Sequence, residues 1–106
     1  MTTAYFSHPD CRGHDMGNGH PECPARLDAI EDHLLATGLD VALTRFDVPL
    51  ADHADLALAH SEGYLVELSE FMQQAAANGE HRALDPDTTV CPATWRAALR
   101  AAGAAV

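Results

Sequence analysis

The pattern of hydrophobic and polar positions predicts strands and helices in alternation. A β-prone stretch at residues 3–7 ends at a His-Pro-Asp turn, and residues 40–48 alternate side chains in the period of a strand with at least one buried face. Between these stretches, apolar residues at helical spacing run from Pro24, which suits a first helical position, to Gly38, which suits a left-handed helix end. The order strand, helix, strand is typical of the beginning of an α/β domain.

The second half of the chain is predicted to be mainly helical. Residues 52–59 can form a short helix, and Ser61 can cap a longer helix whose apolar stripe continues to an Asn-Gly stop. Residues 85–88 predict a turn, and a last helix with no visible stop is predicted from Pro92. Because two strands cannot form a sheet that is buried on both faces, we expect an α/β domain that is incomplete within residues 1–106.

The segment between the first strand and the first helix is dense in glycine and proline, which predicts irregular backbone of a kind that is often functional. Two cysteines and two histidines of this segment have side chains that could complete a tetrahedral zinc shell. They are Cys11, His14, His20 and Cys23. The gap between the two pairs is shorter than usual and prolines stiffen the second pair, so an ordinary polar loop is favoured, and a zinc-binding module remains the alternative.

Four single residues invite an interpretation. Arg26 stands in the first turn of a predicted helix, where a cation opposes the helix dipole, so we expect it to have a specific acidic or carbonyl partner. His60 is expected to be a hydrogen-bonded structural histidine, and Tyr64 and Trp95 lie on apolar stripes that predict core positions. The sequence contains no Asp-x-His, His-Glu-x-x-His or Gly-x-Ser-x-Gly pattern, so local spacing alone predicts no complete active site.

Composition and charge narrow the class of protein. The chain has 106 residues, 47% of them apolar and 21% charged, which is typical of one small globular domain. Sixteen acidic residues against six basic ones give a net charge of −10, which disfavours binding to nucleic acid or to an anionic membrane surface. Three cysteines are an odd number and indicate reduced thiols, and the N-terminus lacks signal-peptide character, so a cytoplasmic location is expected.

Three segments follow one another in an order that resembles a known family. Residues 14–30 read His-Asp-Met-Gly-Asn-Gly-His-Pro-Glu-Cys-Pro-Ala-Arg-Leu-Asp-Ala-Ile, and residues 59–65 read Ala-His-Ser-Glu-Gly-Tyr-Leu. Residues 84–95 read Leu-Asp-Pro-Asp-Thr-Thr-Val-Cys-Pro-Ala-Thr-Trp, and an alanine-rich segment follows them. Together they resemble the opening motif, the His-Ser-x-x-Tyr helix start and the Asp-x-Asp-Thr segment of the zinc-dependent histone deacetylase-like hydrolases, in the class II and bacterial acetylpolyamine amidohydrolase branch.

The resemblance implies that residues 1–106 are the N-terminal portion of a single deacetylase domain, an arginase/deacetylase-type α/β fold with a parallel sheet flanked by helices. It implies Zn²⁺ as cofactor, with the zinc ligands and the catalytic residues outside this segment. By motif match, His20 and Pro21 resemble residues at the mouth of the acyl-lysine tunnel, and Asp87 resembles the rim residue that accepts a hydrogen bond from substrate. Arg26 resembles the arginine that lines the exit channel for acetate.

The implied partners are an acetyl-lysine or small acetylated amine substrate and the remainder of the same domain, and a homo-oligomer is possible. The segment alone is expected to be inactive. Two other interpretations stay open at this point. One is a small non-enzymatic zinc-binding module, and the other is a stand-alone interaction domain.

Overall fold

Two short strands from the first half of the chain form a parallel sheet. In the computed structural model, which describes residues 2–106, β1 (Thr3–Ser7) pairs with β2 (Leu43–Asp47) along its whole length. Parallel strands need a long crossover, and α1 (Ala25–Thr37) lies in that connection. The predicted α/β arrangement with a short parallel sheet is confirmed.

The ends of α1 follow its sequence closely. The helix begins one residue after Pro24 and ends at Gly38, whose φ of 78° is the left-handed conformation predicted for it. A 3-10 turn at Leu39–Ala42 then occupies the first residues of the predicted strand, so β2 starts later than expected. The predicted buried face of this strand is wrong, because Leu43 is half-buried and the rest of β2 is exposed.

Side-chain caps begin the next two helices, α2 (His53–Ala57) and α3 (Glu62–Asn78). Asp52 forms a reciprocal capping box at the start of α2, where its side chain accepts a hydrogen bond from the Asp55 backbone N–H. The Ser61 hydroxyl oxygen accepts from a backbone N–H in the first turn of α3. Both helices therefore begin where the sequence predicts.

The predicted turn at 85–88 lies inside a β-hairpin that the sequence analysis missed. β3 (Arg82–Asp85) and β4 (Thr88–Val90) pair antiparallel, with an irregular register near the turn. Strands this short do not establish a visible alternation of apolar and polar residues. α4 (Thr94–Ala105) follows, two residues later than the predicted start at Pro92.

The core lies between α3, the hairpin and α4. Its buried members are Met72, Ala75 and Val90, and the partly buried side chains of Leu68, Phe71 and Trp95 pack against them. The predicted core position of Trp95 is thus confirmed.

Tyr64, which is predicted at a core position, and His60, which is predicted to be a hydrogen-bonded structural histidine, both lie at the surface. Tyr64 is 46% exposed, and the ring of His60, also exposed, lies 5.2 Å from the Tyr64 ring. No hydrogen bond from the His60 side chain occurs among residues 2–106, so the prediction of a hydrogen-bonded structural histidine is wrong. Both residues lie near the start of α3, N-terminal to Leu68, the first residue of this helix in the core cluster.

α4 lies close to the backbone that follows β2. The Ala51 N–H donates to the Leu99 carbonyl oxygen at 3.0 Å. A Cβ atom at Gly103 would overlap the Pro49 carbonyl oxygen, so this approach requires glycine. None of the helices within residues 2–106 combines the length and the apolar character that crossing a bilayer requires.

Candidate functional site

The loop before α1 meets the hairpin turn through His20 and Asp87. His20 Nε2 lies 3.1 Å from Asp87 Oδ1, although the two residues are 67 positions apart in the chain. Within the turn, the Asp87 backbone N–H donates to Asp85 Oδ1 at 2.8 Å, which shapes the segment that carries Asp87. The fold therefore brings together two of the residues that the sequence analysis singled out.

The hydrogen bonds of His20 define its tautomer. Its Nδ1 accepts the Glu22 backbone N–H at 3.0 Å. Since a backbone N–H can only donate, Nδ1 carries no proton in this arrangement, and the proton of the neutral ring is on Nε2. Nε2–H therefore donates to the carboxylate of Asp87, whose side chain is 94% exposed.

Arg26 has the acidic partner that its position predicts. Glu22 Oε1 accepts a hydrogen bond from Arg26 Nε at 2.9 Å, and the ion pair also places Arg26 Nη2 2.8 Å from the same oxygen. Glu22 stands in the loop four residues before Arg26, so the ion pair joins the loop to the first turn of α1. Pro21 is exposed and lies between His20 and Glu22, so the short segment 20–26 holds three of the four predicted site residues.

A cavity of about 480 Å³ adjoins this segment. Most of its lining is apolar, and Arg26, His14 and Arg100 contribute polar side chains. The hairpin contributes Thr88, the residue that follows Asp87. Arg26 therefore borders the same space as Leu84 and Thr88, the hairpin residues on either side of the turn that carries Asp87.

His14 is engaged with the start of α4. Its Nδ1 lies 2.8 Å from the Thr94 hydroxyl oxygen, which also accepts the Cys91 backbone N–H at 2.9 Å. The Cys91 thiol donates to the Gly13 carbonyl oxygen at 3.2 Å, and both Cys91 and Thr94 are buried. These bonds fix the loop against α4 and give Cys91 a structural role.

Arg100 is a cavity residue that the sequence analysis missed. Arg100 Nε and Arg96 Nε each donate to Asp10 Oδ2 at 2.9 Å, and Arg100 Nη1 donates to the Val48 carbonyl oxygen at 2.6 Å. The hydrogen bond from Arg100 is the main reason that the pKa of Asp10 lies below its ordinary value. Asp10 and Arg100 are 90 positions apart, so no local spacing could have indicated the pair.

The alternative zinc shell does not form in this structure. Within residues 2–106, no group of three or more histidine, cysteine, aspartate or glutamate side chains is placed to hold a metal ion. His20 uses both ring nitrogens in other hydrogen bonds, and His14 faces Thr94. The structure therefore does not support a zinc module built on Cys11, His14, His20 and Cys23. The zinc ion implied by the family resemblance does not fit these residues either.

Among the comparisons with known proteins, a family model matches the chain. A search of curated proteins finds no match to the chain. The family model described as the histone deacetylase domain matches residues 20–106, a stretch that begins at His20 and contains Arg26 and Asp87. The chain belongs to the histone deacetylase family, a family of hydrolases.

Proposed function

We propose that the chain is the N-terminal part of a zinc-dependent deacetylase or amidohydrolase domain with the arginase/deacetylase-type fold. Its substrates would be acetylated lysine or acetylated polyamines, as in the class II and acetylpolyamine branch. The observation that carries the proposal is the hydrogen bond between His20 and Asp87, beside a cavity that Arg26 lines. All three residues lie within the matched family domain.

Asp87 is proposed to be the rim residue that accepts a hydrogen bond from substrate. Its Oδ1 is bonded to His20, while its Oδ2 takes no hydrogen bond from any residue in 2–106. An exposed carboxylate oxygen in a chain of net charge −10 attracts cationic amines and accepts from amide N–H groups. His20 and Pro21 would form the adjoining part of the tunnel mouth.

Arg26 is proposed to line the route by which acetate leaves. A guanidinium group offers parallel N–H donors that suit a carboxylate, and Arg26 borders the mainly apolar cavity. The ion pair with Glu22 holds the side chain in place without burying it, since both side chains are almost half exposed. A carboxylate that enters the cavity would therefore meet a cation that already has a defined position.

The zinc ion would be bound by the remainder of the same domain, as the family resemblance implies. This chain would contribute substrate binding and product exit, and alone it would be inactive. Exposed apolar side chains on the β1–β2 sheet support the presence of further layers in the complete domain. The free state of all three cysteines supports a cytoplasmic location, and a homo-oligomer is compatible with the proposal.

The proposal is tested by acetate release from acetylated lysine peptides and acetylated polyamines by the complete domain, with and without a zinc chelator. Arg26→Ala should lower kcat more than it raises KM, because acetate exit follows substrate binding. Arg12→Ala is the matched control. Arg12 pairs with Asp28 of α1, the helix that also carries Arg26, but Arg12 does not line the cavity. An unchanged kcat in Arg26→Ala, or no chelator-sensitive acetate release, would contradict the proposal.

A further inference from the structure

We infer that His20 is a positioning residue that is held in a single tautomer and fixes the orientation of the Asp87 carboxylate. The inference starts from the two hydrogen bonds of the imidazole, from the Glu22 backbone N–H to Nδ1 and from Nε2–H to Asp87 Oδ1. Each ring nitrogen has one assigned role, so the ring cannot exchange its tautomer without losing both bonds.

Asp87 needs such a partner because its side chain is 94% exposed. A carboxylate this exposed otherwise exchanges freely among rotamers, and ordering it on binding a ligand would cost conformational entropy. The Asp85 side chain fixes the backbone at Asp87 through a hydrogen bond of 2.8 Å, and this bond constrains the Asp87 backbone but not its carboxylate. His20 supplies the missing constraint and leaves Oδ2 available as an acceptor.

Glu22 links this pair to Arg26. Its backbone N–H sets the His20 tautomer, and its carboxylate holds the Arg26 guanidinium. Glu22 therefore determines which nitrogen of His20 donates to Asp87, and it also holds the Arg26 guanidinium at the edge of the cavity. The expected benefit to ligand binding rests on the substrate role proposed for Asp87. The His20 tautomer and the orientation of the Asp87 carboxylate do not depend on that role.

The tautomer is measured by long-range ¹⁵N–¹H correlation NMR on the ¹⁵N-labelled 106-residue chain, at a concentration at which sedimentation shows a monomer. At about pH 8.5, where an ordinary histidine is neutral, we expect a protonated-type shift at Nε2 of His20 and an unprotonated-type shift at Nδ1. His33, an exposed histidine on α1, is expected to show averaged shifts and is the internal control. A protonated Nδ1, or averaged shifts at His20 like those of His33, would overturn the inference.

The orientation of Asp87 is measured by three-bond couplings across its Cα–Cβ bond. We expect one dominant rotamer in the unmodified chain, averaged couplings in His20→Ala, and a restored rotamer in His20→Gln, because the glutamine amide offers a donor near the position of Nε2. The same loss in His20→Ala and His20→Gln, or no loss in either, would overturn the inference. His33→Gln should leave the couplings unchanged.

Kinetics of the complete domain separate this inference from the proposed function. His20→Ala should raise KM for an acetylated diamine about fivefold, the effect of losing about one hydrogen bond, and His20→Gln should restore it. If the NMR results hold and KM does not change, His20 still orients Asp87 and the substrate role of Asp87 is wrong. If KM rises in both variants while Asp87 keeps its rotamer, the positioning role is wrong.

Discussion

The two ends of the chain are stabilised in different ways. The packed region, defined as α3, the hairpin and α4, surrounds buried side chains and includes Met72, Ala75 and Val90. The open region, defined as β1, α1 and β2, has no buried residue in its helix or in either strand. Phe6 and Phe46 stack on each other there at 5.3 Å, and each remains nearly half exposed.

Polar contacts at the surface connect the parts of the open region. Glu31 Oε1 accepts the Tyr5 hydroxyl at 2.9 Å, and Arg45 donates to both Glu31 and Asp40. The Arg45 guanidinium also lies 4.8 Å from the centre of the Tyr5 ring. Exposed ion pairs contribute little and weaken with salt, so this region depends on a covering layer in a way that the packed region does not.

The largest expected effect is on the packed region. Gly103→Ala should lower the free energy of unfolding by about 1–3 kcal/mol, because the added methyl group meets the Pro49 carbonyl oxygen and forces α4 to move. Urea unfolding measures the change. Gly63→Ala is the matched control, since a Cβ there meets open space on α3 and should be neutral or slightly stabilising. Equal destabilisation by both variants would show that α4 does not depend on this close contact.

Local signals in the sequence were sufficient for most helix boundaries. Gly38 ends α1 in a left-handed conformation, and Asp52 and Ser61 cap the next two helices, because each of these effects acts within a few residues. The hairpin strands were missed because their short length leaves no periodic pattern. The exposure of β2 could not be predicted from alternation, which indicates two faces but not whether a neighbouring layer covers either of them.

The residues of the candidate site could be predicted from the sequence, but their arrangement in space could not. Motif resemblance indicated His20, Asp87 and Arg26, while their mutual distances depend on how the hairpin folds against the loop. Glu22 lies four residues before Arg26 but outside α1, so the spacing rule for charged pairs within a helix does not indicate this ion pair. The contact between His14 and Thr94 spans 80 positions and depends on tertiary structure, so no local pattern indicates it.

A smaller effect on the free energy of unfolding is expected when the pH is lowered. Hydrogen bonds from Arg45 and then Tyr5 lower the pKa of Glu31, so the folded chain binds that proton more weakly than the unfolded chain does. The stabilisation is present above the ordinary glutamate pKa and is lost as pH falls through the lowered value. Glu31→Gln should therefore destabilise the chain at pH 7 and have less effect near pH 3, as measured by urea unfolding. Glu67→Gln, at an exposed position on α3, is the control, and an equal effect of Glu31→Gln at both pH values would contradict the prediction.

The smallest effect on stability is expected on the exposed face of the sheet. Phe46→Thr removes a half-exposed ring and keeps a β-branched residue suited to a strand, so the free energy of unfolding should change little. The fluorescence of a dye that binds apolar surface should fall, because the Phe6–Phe46 stack is part of the uncovered face. Ser69→Thr, on α3 and away from the sheet, should leave the fluorescence unchanged. Unaltered dye fluorescence in Phe46→Thr would show that the dye binds to an apolar surface other than the Phe6–Phe46 stack.

Native-state hydrogen exchange, read amide by amide, tests most directly whether the packed region is stable through its own core while the open region needs a covering layer. Amides in the middle of α3 should exchange only through global unfolding of the chain. Amides in α1 and β2 should exchange at least about tenfold faster relative to their intrinsic rates, which corresponds to opening that costs about 1.4 kcal/mol less. Equal protection across α1, β2 and α3 would contradict the account, because it would show one cooperative unit that needs no further layer.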